Sequence, residues 1–175
     1  DTLLAQQNQN PFFRVINPID VQKDKDGKQY FAPALGNVAL QDTGLFYSYI
    51  NNEVVKSAIP GDVKFLLGIQ EKSAKGNQVY FPLYAVKTLP GSAIAPLEGD
   101  AVANATQQFD QLGKPSISMT MTPIGSKTWA RLTSKNVGRP IAIALDDIVY
   151  SAPNVNGAIE GGNSEIEIVR NKIEI

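Results

Sequence analysis

Apolar and polar positions along this chain change over in short bursts, each bounded by Pro, Gly or a charged turn. The cleanest period of two runs through residues 115–122. Ile117, Met119 and Met121 fall on one side, and Ser116, Ser118, Thr120 and Thr122 on the other. That pattern predicts a half-buried strand with a hydroxyl-rich outer face. Val63, Phe65, Leu67 and Ile69 alternate with Lys64, Leu66, Gly68 and Gln70, a second strand. Across a turn at 73–77, residues 79–87 complete a hairpin. Pro82 assigns that strand to an edge or a bulge, because Pro cannot donate to the ladder. Residues 140–145 are apolar on both faces, as in a central strand covered on both sides. Asp146-Asp147 turns the chain back into Ile148–Tyr150. Ile166 and Ile168 alternate with Glu165 and Glu167 in a last strand. Shorter strands are expected at 12–19 and 37–41, and Asp26-Gly27 signals a hairpin inside the charged stretch 22–29. Residues 100–110 fit strand and helix equally.

Three stretches carry helical spacing. Asp42 is placed to cap a helix with Leu45, Phe46, Tyr49 and Ile50 on one face, and Asn52 to cap a shorter one with Val54, Val55, Ala58 and Ile59 inward. Thr122-Pro123 pairs a capping hydroxyl with Pro at the first helical position. The helix that follows carries Ile124, Thr128, Trp129, Leu132 and Val137 near one face and stops at Gly138. Many short strands and few short helices predict an α+β fold, a mostly antiparallel sheet with helices packed on it.

Punctuation divides the chain further. Residues 1–10, DTLLAQQNQN, are amide-rich and lead to Pro11, a flexible start. Pro90-Gly91 and Pro96 mark a boundary between a lobe at 11–95 and a second at 96–175. A chain of 175 residues with 43% hydrophobic and 19% charged residues and a mean hydropathy of −0.14 is expected to be a soluble globular domain.

Charge narrows the possible partners. The net charge is −1, with nine basic and eight acidic residues before residue 96 and seven and nine after it. Neither half offers a basic patch for a phosphate backbone, so nucleic acid is not expected. No apolar run approaches the ~20 residues of a membrane helix. The chain has no His and no Cys. Histidine-assisted nucleophiles, imidazole or thiolate metal sites and redox dithiols are therefore excluded. Asp24-Lys-Asp26-Gly27 lacks the distal Glu and further carboxylates of a calcium loop. Adjacent Asp146 and Asp147 cannot flank one bond as a glycosidase pair does. There is no Walker loop, dinucleotide glycine motif or nucleophile elbow. Asn104-Ala105-Thr106 fits the glycosylation pattern, a match common by chance. No enzyme, metal, cofactor or small-molecule substrate is expected.

Residues 96–163 carry a longer pattern. It runs through Leu97, Gly99, Phe109-Asp110, Gly113, Pro115, Gly125, Asn136, Gly138, Ile141 to Asp146 (with Leu145), Ser151-Ala152-Pro153 and Gly161-Gly162, then Ile166. In order and spacing this string resembles SecD, a subunit of the bacterial Sec protein-translocation machinery. Residues 1–95 are similar, more loosely, to the longer insert of SecD–SecF fusions. The chain departs from the family at Asp146-Asp147, where the family usually has Asp-Gly, and after Ile166, where it usually continues Thr/Ser-Gly-x-Phe. The resemblance implies the head inserted in the first large periplasmic domain of a multi-spanning membrane protein. It would lie on the periplasmic side of the inner membrane. It also implies a role in proton-gradient-driven export, with SecF, the SecYEG channel and unfolded preprotein as partners. The family's proton-carrying residues lie in membrane helices outside this chain. A non-enzymatic module that transiently holds polypeptide is the expectation, with Ser116, Ser118, Thr120 and Asn154 as candidate contacts. A structural lever touching only its own base and other subunits is the alternative.

Overall fold

A computed structural model describes residues 11–23, 27, 29–30, 32–73, 78–92, 94–109, 113 and 115–167. The expected turns at 24–26 and 74–77, the start at 1–10 and the strand residue Ile168 lie outside them. Cα packing divides the chain into two compact units, residues 1–87 with 144–150, and residues 88–143 with 151–175. The fold is α+β, with mixed sheets and three α-helices among the described residues.

The first unit is built on a sheet with strand order β1-β4-β7-β5-β11-β10. Its members are β1 (Asn17–Pro18), β4 (Gly36–Ala39), β5 (Val63–Gly68), β7 (Val79–Lys87), β10 (Ile143–Leu145) and β11 (Ile148–Ser151). A short β6 (Glu71–Lys72) pairs with the first half of β7, and β2 (Gln22–Lys23) pairs with β3 (Gln29–Tyr30). Helix α1 (Thr43–Ile50) sets Phe46, fully buried, against Val38, Leu67 and Leu83. Ile16, Ile50, Phe65 and Phe81 pack around this cluster.

Several expectations change in this unit. Residues 11–14 form a 3-10 turn before the two-residue β1, because two prolines within eight residues limit a ladder. Asp42 makes no side-chain cap; a 3-10 turn at Leu40–Asp42 feeds directly into α1. Asn52 does cap α2 (Glu53–Ala58), its Oδ1 accepting from Val54 N at 2.9 Å. Leu45 and Val54, expected inside, are exposed, Val54 at 77%; α1 reaches the core through Phe46, and α2 has no buried residue.

Strand β7 is interior, between β4 and β5, and Pro82 is accommodated there by a break. Leu83 O accepts from Leu35 N, which turns the Leu83 backbone toward β4. By alternation Pro82 faces the other side. There the β5 register ends at Leu67↔Leu83 and the β6 register starts at Glu71↔Tyr80. No donor is required of Pro82 in that gap. Gly68 sits at the same break. A Cβ on it would lie 2.9 Å from the Tyr84 ring and 3.4 Å from Pro82 Cδ, so no side chain fits.

Residues 140–145 are not a central strand. Strand β10 holds three residues at the end of the sheet, with Leu145 63% exposed. The hairpin to β11 turns on Asp146 and Asp147, both left-handed (φ 50° and 62°). Strand β11 then runs parallel to β5, pairing Ile148 with Leu67 and burying Val149.

The second unit is a three-stranded antiparallel sheet, order β12-β9-β8, with one helix. Its strands are β8 (Val102–Phe109), β9 (Pro115–Met121) and β12 (Asn163–Glu167); its helix is α3 (Pro123–Lys135). The ambiguous stretch 100–110 is thus a strand from Val102, after a 3-10 turn at Gly99–Ala101. Thr122 caps α3, its Oγ1 accepting from Gly125 N at 3.1 Å. Trp129 and Thr133 are buried, but Ile124 is 83% exposed and Val137 is exposed. The buried face of α3 is Gly125, Trp129 and Thr133, rotated from the one the apolar spacing suggested: Gly125 abuts Ala101, Trp129 reaches Ser164 of β12, and Thr133 accepts from Ile159 N.

Candidate functional site

Strand β9 displays the predicted alternation. Met121 is buried and Ile117 and Met119 are half-buried on the side where α3 packs. On that side Trp129 Nε1 donates to Ser164 Oγ at 2.7 Å, and Ser164 lies opposite Met119. The other face is formed by Ser116, Ser118 and Thr120. Asn104, Thr106 and Gln108 flank them on β8, and Asn163 and Glu165 flank Thr120 and Ser118 on β12. It is a continuous band of hydroxyls and amides with the Glu165 carboxylate at one margin. Such a surface hydrogen-bonds water and peptide groups alike and selects weakly among side chains.

The candidate contacts occupy different positions. Thr120 is exposed and Ser118 half-buried, adjacent on one face. Ser116, expected to be an accessible hydroxyl, is fully enclosed and donates to Glu165 Oε1 at 2.8 Å. Its cross-strand diagonal to a longer acidic side chain closes over it, a relation invisible along one strand. Asn154 is exposed but belongs to another segment, where it bridges Pro140 beyond the end of α3.

The residues of the family pattern shape backbone. Gly113, Gly138 and Gly162 adopt left-handed φ of 73°, 74° and 70°. Gly138 N donates to Val155 O, and Pro153 O accepts from Ile141 N, tying the exit of α3 to the segment after β11. A Cβ on Gly162 would collide with Ser126 of α3. Pro115 opens β9, Gly161 is exposed in the turn before β12, and Ser151 and Ala152 are half-buried where β11 ends. Leu145 and Asp146 belong to the exposed hairpin, where Asp147 Oδ1 accepts from Lys64 Nζ at 2.6 Å.

One feature of the first unit was not foreseen. A shallow cleft between α1, α2 and β5 is lined by Tyr47, Ile50, Ile59, Phe65 and the Lys64–Asp147 pair. Lys64 and Asp147 lie 83 residues apart, beyond the reach of any local pattern. Titration is perturbed elsewhere in that sheet. Burial, then the Glu71 hydrogen bond (2.9 Å) and charge, push the Tyr80 phenol above its ordinary value; burial and Glu71 do the same for Tyr84. Among the described residues no three acidic side chains stand together as a metal site, and no helix is long and apolar enough to cross a membrane.

The second unit is thus an α+β module whose family-pattern glycines set turns, with an open polar face acidic at its Glu165 margin. The SecDF P1 head subdomain model matches residues 83–172, just over half of the chain, and the chain belongs to that family. It is 33% identical over 162 residues to the protein translocase subunit SecD of Rhodothermus marinus, covering 90% of this chain and 23% of that protein. It is 45% identical over 71 residues to the protein translocase subunit SecDF of Thermus thermophilus, covering 41% of this chain and 10% of that one. A solved structure of "a membrane component SecDF that enhances protein export" aligns with a TM-score of 0.40 and 43% identity, over 43% of this chain and 34% of that one. The chain spans a quarter or less of the length of these curated relatives.

Proposed function

We propose that this chain is the head of a SecD-type translocase subunit and that it transiently holds unfolded polypeptide on the periplasmic side of the inner membrane. In this reading it performs no catalysis. It is moved by a proton-driven membrane part outside the chain, beside SecF and the SecYEG channel. The observation that carries the reading is the family match over 83–172, which takes in the whole three-stranded sheet, α3 and the hydroxyl face. A polar band of hydroxyls and amides, acidic only along its β12 margin, suits a partner of variable sequence, because backbone groups are the part common to every extended chain.

The lever reading has its own support. Gly138, Pro153 and Gly162 stiffen the second unit through backbone contacts, which a rigid transmitting arm requires. Photo-crosslinking in membranes holding the full translocase separates the two. Probes at Ser118, Thr120 and Asn154 are expected to trap a translocating preprotein, and probes at Glu53 and Lys56 are not. Equal or absent trapping from both sets, with secretion intact, defeats the holding reading and leaves the lever. The complex should be weak, with a dissociation constant of about micromolar or above, since tight binding would stall transport.

A further inference from the structure

Natural sheets blunt their edges by shortness, charge or Pro, because a bare edge recruits other strands. The edges of the first unit follow that rule. Strand β1 is two residues ending in Pro18, β10 is three residues, and β6 is Glu71-Lys72. In the second unit β12 carries Glu165 and Glu167. Strand β8 does not follow it. Its eight residues, Val102–Phe109, include no charge and no Pro, and all from Ala103 onward are exposed. Its one irregularity is at its start, between Val102 and Asn104. Among the described residues no strand pairs with its outer side.

The direction of its backbone groups follows from the ladder. Met121 N donates to Gly162 O, and Thr122 N donates to Ala101 O, each at 2.8 Å. Odd residues of β9 therefore turn their backbone toward β12 and even ones toward β8. Thr120, Ser118 and Ser116 stand opposite Asn104, Thr106 and Gln108, which are committed inward. Ala105, Gln107 and Phe109 turn their backbone groups outward.

We propose that this edge is the polypeptide-binding element, and that an extended segment of an unfolded chain adds to it as a fourth strand on the backbone of Ala105, Gln107 and Phe109. The proposal deepens the holding reading above and rests on it. The occupant follows from what the edge offers. Its side chains are Ala, Asn, Thr and Gln, small or neutral, and they neither demand nor repel a particular sequence. Phe109, 70% exposed at one end, adds an apolar contact that most sequences can meet. A stable pair of copies needs about 800 Å² from each partner with an apolar centre. A single neutral edge strand does not supply that. The eight residues span about 27 Å at ~3.4 Å each, room for a short stretch of extended chain held by main-chain bonds alone.

The test titrates the isotope-labelled chain with a carboxymethylated, permanently unfolded polypeptide. Amide shifts and slowed hydrogen exchange are expected at Ala105, Gln107 and Phe109. Gln107→Pro deletes an outward donor and leaves the ladder to β9 intact, and Ala105→Lys charges the edge. Each should weaken binding at least tenfold with Trp129 emission unchanged, whereas Glu53→Ala and Lys56→Ala in the first unit should not. If Gln107→Pro disturbs the fold, Ala105→Lys decides alone. Unchanged affinity in a folded edge variant overturns the edge proposal and leaves the holding reading standing. Absence of binding by the unsubstituted chain overturns both. Concentration-dependent dimers that Gln107→Pro or Ala105→Lys abolishes would assign the edge to a second copy and overturn it as well.

Discussion

In the first unit Val38, Phe46, Leu67 and Leu83 close an apolar cluster that, among the described residues, no buried polar side chain enters. The second unit buries Trp129, Met121, Val155 and Ile166 together with Ser116, Thr133 and Ser164. Those polar groups act as pegs. Ser164 accepts from Trp129, and Thr133 Oγ1 donates to Trp129 O at 2.9 Å and accepts from Ile159 N at 3.0 Å. Apolar burial is forgiving of shape, while buried hydrogen bonds hold only when every partner is in place. The family pattern concentrates in the unit that tolerates less displacement, and two of its glycines, Gly125 and Gly162, have neighbours that leave no room for a side chain. The difference reaches the edges as well, blunted in the first sheet and, among the described residues, unpaired at β8.

The largest expected effects test the two cores against each other. Phe46→Ala and Trp129→Ala should each lower stability by about 3–5 kcal/mol in urea melts. The conservative replacements should then diverge. Phe46→Leu keeps an apolar filling and should stay below about 1.5 kcal/mol. Trp129→Phe removes only the donor to Ser164 and some volume, yet should still lose about 1–3 kcal/mol. Equal losses for the two conservative variants would erase the distinction between the cores. A further check is the emission of Trp129, the single tryptophan, which should be blue-shifted from that of free tryptophan in water.

Ser164→Ala should follow, with a loss of about 1–3 kcal/mol from an unsatisfied indole N–H. A smaller change of opposite sign is expected at the Asp146-Asp147 hairpin. Asp147→Gly relieves a left-handed residue, worth about 1–2 kcal/mol, and loses an exposed pair with Lys64 worth about 0–1 kcal/mol. The net should be a modest gain in melting temperature. A loss would show that the Lys64 contact outweighs the strain.

The smallest effect is alkaline and belongs to the first unit. Tyr80 and Tyr84 bind their protons more tightly in the fold than the ordinary value of 10.0. Their contribution is complete below pH 10 and disappears as pH rises through the raised values. Replacing both by Phe should flatten the alkaline decline in stability, measured by urea melts across that range.

Local signals identified the elements whose determinants are local. The alternation of Ile117, Met119 and Met121, the Thr122-Pro123 start and the Asn52 cap involve neighbours within four residues, and each stands in the structure as the sequence implies. The order of Gly138, Pro153 and Gly162 likewise marks the family, because turns needing left-handed φ leave glycine as a trace. Which strands are central, which hydroxyl is closed over and which edge stays bare were decided only in three dimensions. Interior β7 accommodates Pro82 because β5 breaks beside it. Residues 143–145, apolar as a core strand, end the sheet. Ser116 is committed to Glu165, 49 residues away. These outcomes depend on pairings between distant segments, and one strand's period of two says which face is buried but not which neighbour buries it.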